Sequence, residues 1–148
     1  MTDPTRRFEL PPQVTRHDGR PRLVGFELEF SGIDLDDTVA ALRSALGGEI
    51  QSESAAERSV QVDALGEFNV ELDWAYLKRK AAATERGAEG SEWLEPLSKA
   101  AAMLVPVEIV CPPIPVAELA ALDPMVVALR QAGALGTEES LLAAYGVH

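Results

Sequence analysis

The sequence predicts an α+β domain with a largely antiparallel sheet, and three observations lead to this prediction. Two segments, residues 22–30 and 67–73, alternate apolar and polar side chains with the period of two that half-buried strands show. A third segment, residues 34–47, repeats its apolar residues at helical spacing. A chain of 148 residues, 47% of them apolar, can bury a core of its own. We therefore expect helices to cover one face of the sheet.

The first strand and the first helix follow from these patterns in detail. On the strand at 22–30, one side carries Val24, Phe26, Leu28 and Phe30, and the other carries Gly25, Glu27 and Glu29. The helix that follows is predicted to begin after Asp34, whose carboxylate can cap the first turn. It is predicted to end at Gly47, in the position that glycine commonly takes after a helix.

The rest of the chain is predicted in the same way. Strands are expected around 49–53, 58–62 and 106–110, and Pro112 and Pro113 are expected to stop the last of them. Helices are expected at 93–104, at 115–132 with Pro124 dividing it, and at 137–145. Residues 78–90 have few large apolar side chains, which is typical of a mobile connection. We expect residues 1–21 to form an irregular arm and residues 22–148 to form the domain.

Charge and cysteine content limit the functional classes. With 13 basic and 24 acidic residues, the net charge of −11 disfavours binding to the phosphate backbone of nucleic acids and to anionic lipid. No apolar run approaches the roughly 20 residues that span a bilayer, and the first residues lack the apolar region of a signal peptide. The single cysteine, Cys111, cannot form an internal disulfide. We therefore expect a reducing, cytoplasmic location.

Acidic residues recur on the polar sides of three predicted strands. They are Glu27 and Glu29, Glu71 and Asp73, and Glu108, with Glu67 at the margin. Residues two apart on a strand point the same way and lie about 7 Å apart along it. If the strands are neighbours, five carboxylates share the second face of the sheet, which we expect to be concave. Mg²⁺ prefers oxygen ligands and is usually shared with substrate phosphates, so this pattern favours a Mg²⁺–nucleotide site.

A solvated polar face explains the same alternation without any ligand. Exposed sheets normally relieve repulsion between carboxylates with lysine or threonine on the neighbouring strand. The two strongest predicted strands contain no Lys or Arg after Arg22, and this favours a bound cation. The chain has neither a P-loop motif nor a glycine-rich dinucleotide fingerprint. Nucleotide binding therefore has to depend on metal and carboxylates.

Five segments of the sequence, taken in order, resemble the amidoligase family. They are Val24-Gly-Phe-Glu-Leu-Glu-Phe30, Val70-Glu-Leu-Asp73, Leu104-Val-Pro-Val-Glu-Ile-Val-Cys-Pro-Pro113, Gly133-Ala-Leu-Gly-Thr137 and Tyr145-Gly-Val-His148. The resemblance extends from about residue 20 to the end of the sequence. It implies a carboxylate–amine ligase of bacterial type, with the catalytic fold of glutamine synthetase and glutamate–cysteine ligase.

This resemblance also implies a reaction and a set of site residues. An ATP-dependent ligase of this kind joins a carboxylate substrate to an amine substrate through an acyl phosphate, with Mg²⁺ or Mn²⁺ as the metal. Glu27 and Glu29 match the first metal–nucleotide motif, and Glu71 and Asp73 match the second acidic strand. These four are the expected catalytic positions. Glu108 matches the third acidic strand and His148 a histidine that begins the next strand, and both are expected to bind the cofactor.

Members of the family continue beyond this histidine, and Gly146-Val-His148 resembles the entry into a further strand. The sequence is therefore interpreted as the N-terminal portion of an amidoligase-like catalytic domain, whose expected partner is a missing C-terminal half or a second copy. Two alternatives stay open. One is a non-catalytic interaction module that uses an exposed sheet edge, and the other is a metal-dependent hydrolase with the same acidic face. Cys111 has no histidine nearby in the sequence and is predicted to be a structural thiol.

Overall fold

The computed structural model describes residues 10–54, 56–73, 105–136 and 145–147 of the chain. Its strands are β1 (Leu23–Phe30), β2 (Glu49–Glu53), β3 (Glu57–Val62), β4 (Gly66–Leu72), β5 (Val107–Pro115) and β6 (Tyr145–Val147). The helices are α1 (Leu35–Leu46), a 3₁₀ helix at Val116–Leu122, and α2 (Asp123–Ala132). The strands form one antiparallel sheet in the order β2-β3-β4-β5-β1-β6. The predicted combination of an antiparallel sheet with helices is confirmed.

α1 has the predicted caps at both ends. The Asp34 carboxylate accepts a hydrogen bond of 2.8 Å from the backbone N–H of Asp37, which satisfies a donor that the first turn leaves unpaired. At the other end, the N–H of Gly47 donates to the carbonyl of Arg43 at 2.9 Å. These two local signals explain why the helix could be delimited from the sequence alone.

One face of the sheet, apolar except for Arg58, packs against α1; we call it the helix face. Its strand positions are Phe26, Leu28, Phe30, Arg58, Val60, Val62, Phe68, Val70, Leu72, Val107, Ile109 and Cys111. Leu42 of α1 and Met125 of α2 are fully buried in the same core. Each side chain of this size gains about 1.5–3 kcal/mol when it is buried. This burial determines which residues of each strand point to the other face.

β5 runs through Pro112 and Pro113, so the prediction that these residues stop the strand is wrong. β4 pairs with β5 only up to Val110, and the later residues of β5 therefore have no hydrogen bonds to β4 that proline could remove. On the β1 side the register shifts, and the two prolines lie opposite the single residue Gly25. A bulge of this kind accommodates proline inside a sheet.

The predicted helix at 115–132 is divided near Pro124, as expected. The 3₁₀ helix ends at Leu122, and α2 follows with Pro124 in its first turn, where proline is tolerated. Gly133, with φ of 105°, ends α2 in the left-handed region. Among the described residues, no helix is long and apolar enough to cross a membrane.

The last predicted helix is wrong at its final residue, because Tyr145 lies in β6 and pairs with Leu28 of β1. The edge of β1 offers backbone hydrogen bonds there, and Tyr and Val are strand-forming residues. The expected strand entry at Gly146 is confirmed. The predictions for residues 78–90, 93–104 and 137–144, and for residues 1–9 of the expected arm, fall outside the described residues.

Candidate functional site

A row of glutamates crosses four neighbouring strands. In the register of β1 with β5, Glu29 lies directly opposite Glu108. Glu108 in turn lies opposite Glu71 of β4, and Glu71 lies opposite Glu57 of β3. Directly opposed residues of antiparallel strands share one face and have Cβ atoms about 4.5–5.5 Å apart. We call these four residues the glutamate row.

The apolar core holds the glutamate row on the face opposite to the helix face. Glu108 lies between Val107 and Ile109, which are both fully buried, whereas Glu108 itself is half-buried. A slip of one residue in the pairing would turn the glutamate into the core and the two apolar side chains out of it. The register of the row is therefore set by burial on the other side of the sheet.

The two central glutamates of the row have perturbed acidities. The pKa of Glu108 is raised, first by burial and then by repulsion from nearby carboxylates. Those carboxylates are, in decreasing order of effect, Glu27, Glu71, Glu29 and Asp73. Burial is also the largest cause that raises the pKa of Glu71, followed by repulsion from Glu57. Both shifts mean that the surroundings of these side chains in the fold disfavour their negative charge.

The other two predicted carboxylates lie beside the row. Glu27 precedes Glu29 by two residues on the same face of β1 and lies opposite the apolar residue Val110. Asp73 follows β4 directly, and its N–H donates to the carbonyl of Pro106 at 2.9 Å. This bond keeps Asp73 alongside the start of β5. All five predicted carboxylates are thus brought together.

His148 lies outside the described residues, but the strand that leads to it is described. β6 pairs with β1 so that Gly146 lies opposite Glu27 and Val147 opposite Phe26. The backbone just before His148 therefore runs beside the first acidic strand.

Glu57 belongs to the row but was not among the predicted site residues, because the strand was expected to begin at Arg58. The signal that could have found it is the turn after β3. Pairing across this turn matches Val62 with Gly66, and counting five residues back along β3 and five forward along β4 from that pair places Glu57 opposite Glu71.

The glutamate row supplies the hard oxygen donors that Mg²⁺ and Mn²⁺ require. Within the described residues, no group of three or more His, Cys, Asp or Glu side chains is arranged to hold an ion alone. However, Mg²⁺ usually takes only one or two protein carboxylates and completes its octahedral shell with water and substrate phosphates. The donor set therefore fits an ion shared with a phosphate ligand and does not fit a closed protein cage.

Cys111 does not belong to this site. It lies on the helix face, is 3% exposed, and burial raises the pKa of its thiol to about 12. A thiol that stays protonated at neutral pH is a poor nucleophile, which agrees with the structural role predicted for it.

Comparison with known proteins adds the family. The family model described as "Putative amidoligase enzyme" matches residues 20–148, a span that contains every described strand. No match was found among curated proteins or among solved structures. The matched span also contains the glutamate row, Glu27 and Asp73. The chain belongs to this amidoligase family.

Proposed function

We propose that the chain carries the metal–nucleotide face of an ATP- and Mg²⁺-dependent amidoligase. The observation that carries the proposal is that Glu29, Glu108 and Glu71 lie in register on three adjacent strands of a member of an amidoligase family. The glutamine synthetase-like catalytic fold and the concave shape of the acidic face are part of the same proposal.

The electrostatics of the glutamate row support a bound cation. The pKa values of Glu71 and Glu108 are raised first by burial of their charge and then by repulsion from the neighbouring carboxylates. A divalent cation next to these carboxylates reverses the sign of that interaction. Among the described residues, no Lys or Arg stands at a strand position on this face, where its positive charge could offset the carboxylates.

The proposed reaction has two steps. An oxygen of the substrate carboxylate attacks the γ-phosphorus of ATP, and the bond to the β–γ bridging oxygen breaks to give an acyl phosphate and ADP. The nitrogen of the amine substrate then attacks the acyl carbon, phosphate leaves with the bonding electrons, and the surplus proton of the amine passes to solvent. Mg²⁺, when bound, neutralises charge on the transferring phosphoryl group.

The residues of the chain bind and orient in this scheme, and none acts as the nucleophile. One or two of Glu29, Glu108 and Glu71 would hold the metal, and water and substrate phosphate oxygens would complete its coordination. Glu27 and Asp73, beside them, would accept hydrogen bonds from water molecules around the metal. His148 is proposed to contribute to nucleotide binding from the strand next to β1.

Isothermal titration calorimetry of ATP into the full chain, with Mg²⁺ and with EDTA, tests the proposal. We expect binding only with Mg²⁺, and a loss of affinity of at least tenfold in the double variant Glu71→Gln, Glu108→Gln. Glu67→Gln is the matched control, because Glu67 lies on the same strand and face but pairs with Gln61 outside the row. Unchanged Mg²⁺–ATP affinity in the double variant would contradict the proposal. Metal binding with no response to ATP would favour the hydrolase alternative.

The interaction-module alternative needs a sheet edge that another strand can join. β2 forms one edge of the sheet, and all five of its residues are exposed. It is short, carries Glu49 and Glu53 at its ends, and has an irregular register with β3. Edges that are short, charged and irregular are poor templates for strand addition, so the β2 edge does not favour the interaction-module alternative.

A further inference from the structure

The residues before β1 form a short hairpin over 13–22 that the proposed function does not use. Its backbone contacts join Arg22 with Val14 at 2.9 Å, Thr15 with Pro21 through a β-bridge, and Arg16 with Arg20 at 2.7 Å. Gly19, with φ of 80°, makes the tight turn between the two arms. The base of the hairpin is tied to the domain, because the N–H of Val116 donates to the carbonyl of Arg22 at 2.8 Å.

This register places three arginines on one face of the hairpin. Paired residues of an antiparallel ribbon share a face, and so do residues two apart on one arm. Arg16 and Arg20 are a pair, and Arg22 lies two residues from Arg20. The side chains of Arg16 and Arg20 are 61% and 77% exposed. We call these three residues the arginine face.

Only one acidic residue offsets these charges within the hairpin. Oδ2 of Asp18 lies 3.9 Å from Nε of Arg16 and 3.8 Å from Nε of Arg20. Both contacts are made through Nε, and neither arginine has another ion-pair partner among the described residues. Like charges that face each other across two strands are destabilising. The arginine face is thus a local positive charge, incompletely neutralised, in a chain of net charge −11.

We propose that the arginine face binds the phosphate groups of a small polyphosphate-bearing ligand. Two guanidinium groups on paired residues can each make bidentate hydrogen bonds to phosphate oxygens, which the planar fork of arginine favours. A small ligand fits better than a nucleic acid, because a polymer of phosphates would extend over the acidic remainder of the chain.

This site is separate from the glutamate row. The arginine face ends at Arg22, directly before β1, and Glu27, the first carboxylate of the proposed metal site on this strand, follows five residues later. At about 3.4 Å per residue, these two backbone positions lie roughly 17 Å apart. The phosphate site therefore does not depend on the proposed function, and each can fail without the other.

Titration calorimetry of sodium tripolyphosphate into the full chain, in EDTA and at low ionic strength, tests the inference. EDTA removes divalent cations, so the carboxylates cannot contribute through a metal. We expect saturable binding that weakens at least tenfold in Arg16→Gln, Arg20→Gln and that falls as salt is raised. Arg43→Gln should keep the wild-type affinity, because Arg43 is a partly exposed arginine of α1 beside Glu49.

Three results would overturn the inference. They are no saturable binding to the wild-type chain, the same loss of affinity in Arg43→Gln as in the double variant, and binding of hexaglutamate as tight as that of tripolyphosphate. Tighter binding of a short single-stranded DNA at the same arginines would replace the small ligand with a nucleic acid. Since both substituted side chains are exposed, near-ultraviolet circular dichroism should show an unchanged fold in the double variant.

Discussion

Glu71 and Glu108 face each other across β4 and β5, and the pKa of each is raised by burial and by neighbouring carboxylates. The next pair along the same two strands is Val70 with Ile109, and both of these residues are fully buried. The register that packs the apolar pair is therefore the register that opposes the two glutamates. Stability of the core is offset in part by repulsion on the other face, and a cation bound there would remove that offset.

In the absence of metal, the chain should become more stable as the pH falls from 7 towards the ordinary titration range of glutamate. The folded-state pKa values of Glu71 and Glu108 lie above the unfolded-state values. The folded state therefore binds more protons in the interval between them, and stability falls as the pH rises through that interval. Melting temperatures measured in EDTA across this range check the slope.

Glu108→Gln should flatten this part of the pH profile and raise the melting temperature at pH 7, because it removes one of the opposed charges. Glu67→Gln, on the same face but outside the row, is the control. A lower melting temperature for Glu108→Gln at pH 7 in EDTA would show that repulsion in the row is not a net cost.

Mg²⁺ should raise the melting temperature of the wild-type chain more than that of Glu71→Gln. A ligand that binds only the folded state stabilises it by mass action, by about 2.7 kcal/mol when its concentration is a hundred times the Kd. Sodium chloride at matched ionic strength separates this effect from general screening. Equal shifts with the two salts would speak against a specific metal site.

The sequence predicts single strands better than it predicts their pairing. Alternation over 22–30 and 67–73 is a local pattern, and it identified the polar side of each strand before any neighbour was known. That Glu108 lies between Glu29 and Glu71 depends on the order β4-β5-β1. No local pattern encodes this order, because residues 73–106 separate β4 from β5 in the chain.

The errors in the prediction have the same origin. The sequence predicts that Pro112 and Pro113 end β5, because two successive prolines remove one N–H donor towards each neighbouring strand. Where they lie, β4 has already stopped pairing and β1 has a bulge, and neither fact can be read from the segment itself. Glu57 was missed because the boundary of β3 was set one residue late.

Arg58→Met should reduce the free energy of unfolding by about 1–3 kcal/mol, because it removes several hydrogen bonds of one largely buried side chain at once. The Arg58 side chain is 11% exposed and lies 3.0 Å from Asp36 and 3.3 Å from Glu53. It also donates to the backbone carbonyls of Ser54 and Glu57. Asp36→Asn should cost less than about 1 kcal/mol, since Asp36 is highly exposed. Urea unfolding of the two single variants and of the double variant measures the loss of unfolding free energy in each. Equal losses in Arg58→Met and Asp36→Asn would contradict this ranking.

Cys111 should react with thiol reagents only when the chain unfolds. Its side chain is buried, and burial raises the pKa of the thiol to about 12, so both access and thiolate formation are suppressed. Labelling with a chromogenic disulfide should be slow in buffer and complete within minutes in denaturing urea. Fast labelling of the native chain would mean that the β5 end of the core opens readily.

Gly32→Ala should destabilise the chain more than Gly19→Ala, although both glycines have positive φ. An alanine pays about 1–2 kcal/mol for a left-handed conformation at either position. At Gly32, with φ of 93°, the added Cβ would also lie 2.6 Å from the carbonyl oxygen of Gly133. The two backbone segments cannot easily move apart, because Ser31 and Leu135 exchange two hydrogen bonds. Nothing lies within 4 Å of the corresponding Cβ at Gly19. The difference in unfolding free energy between the two variants therefore measures the cost of the clash at Gly32. Equal losses would show that the loop after α2 moves to relieve the clash.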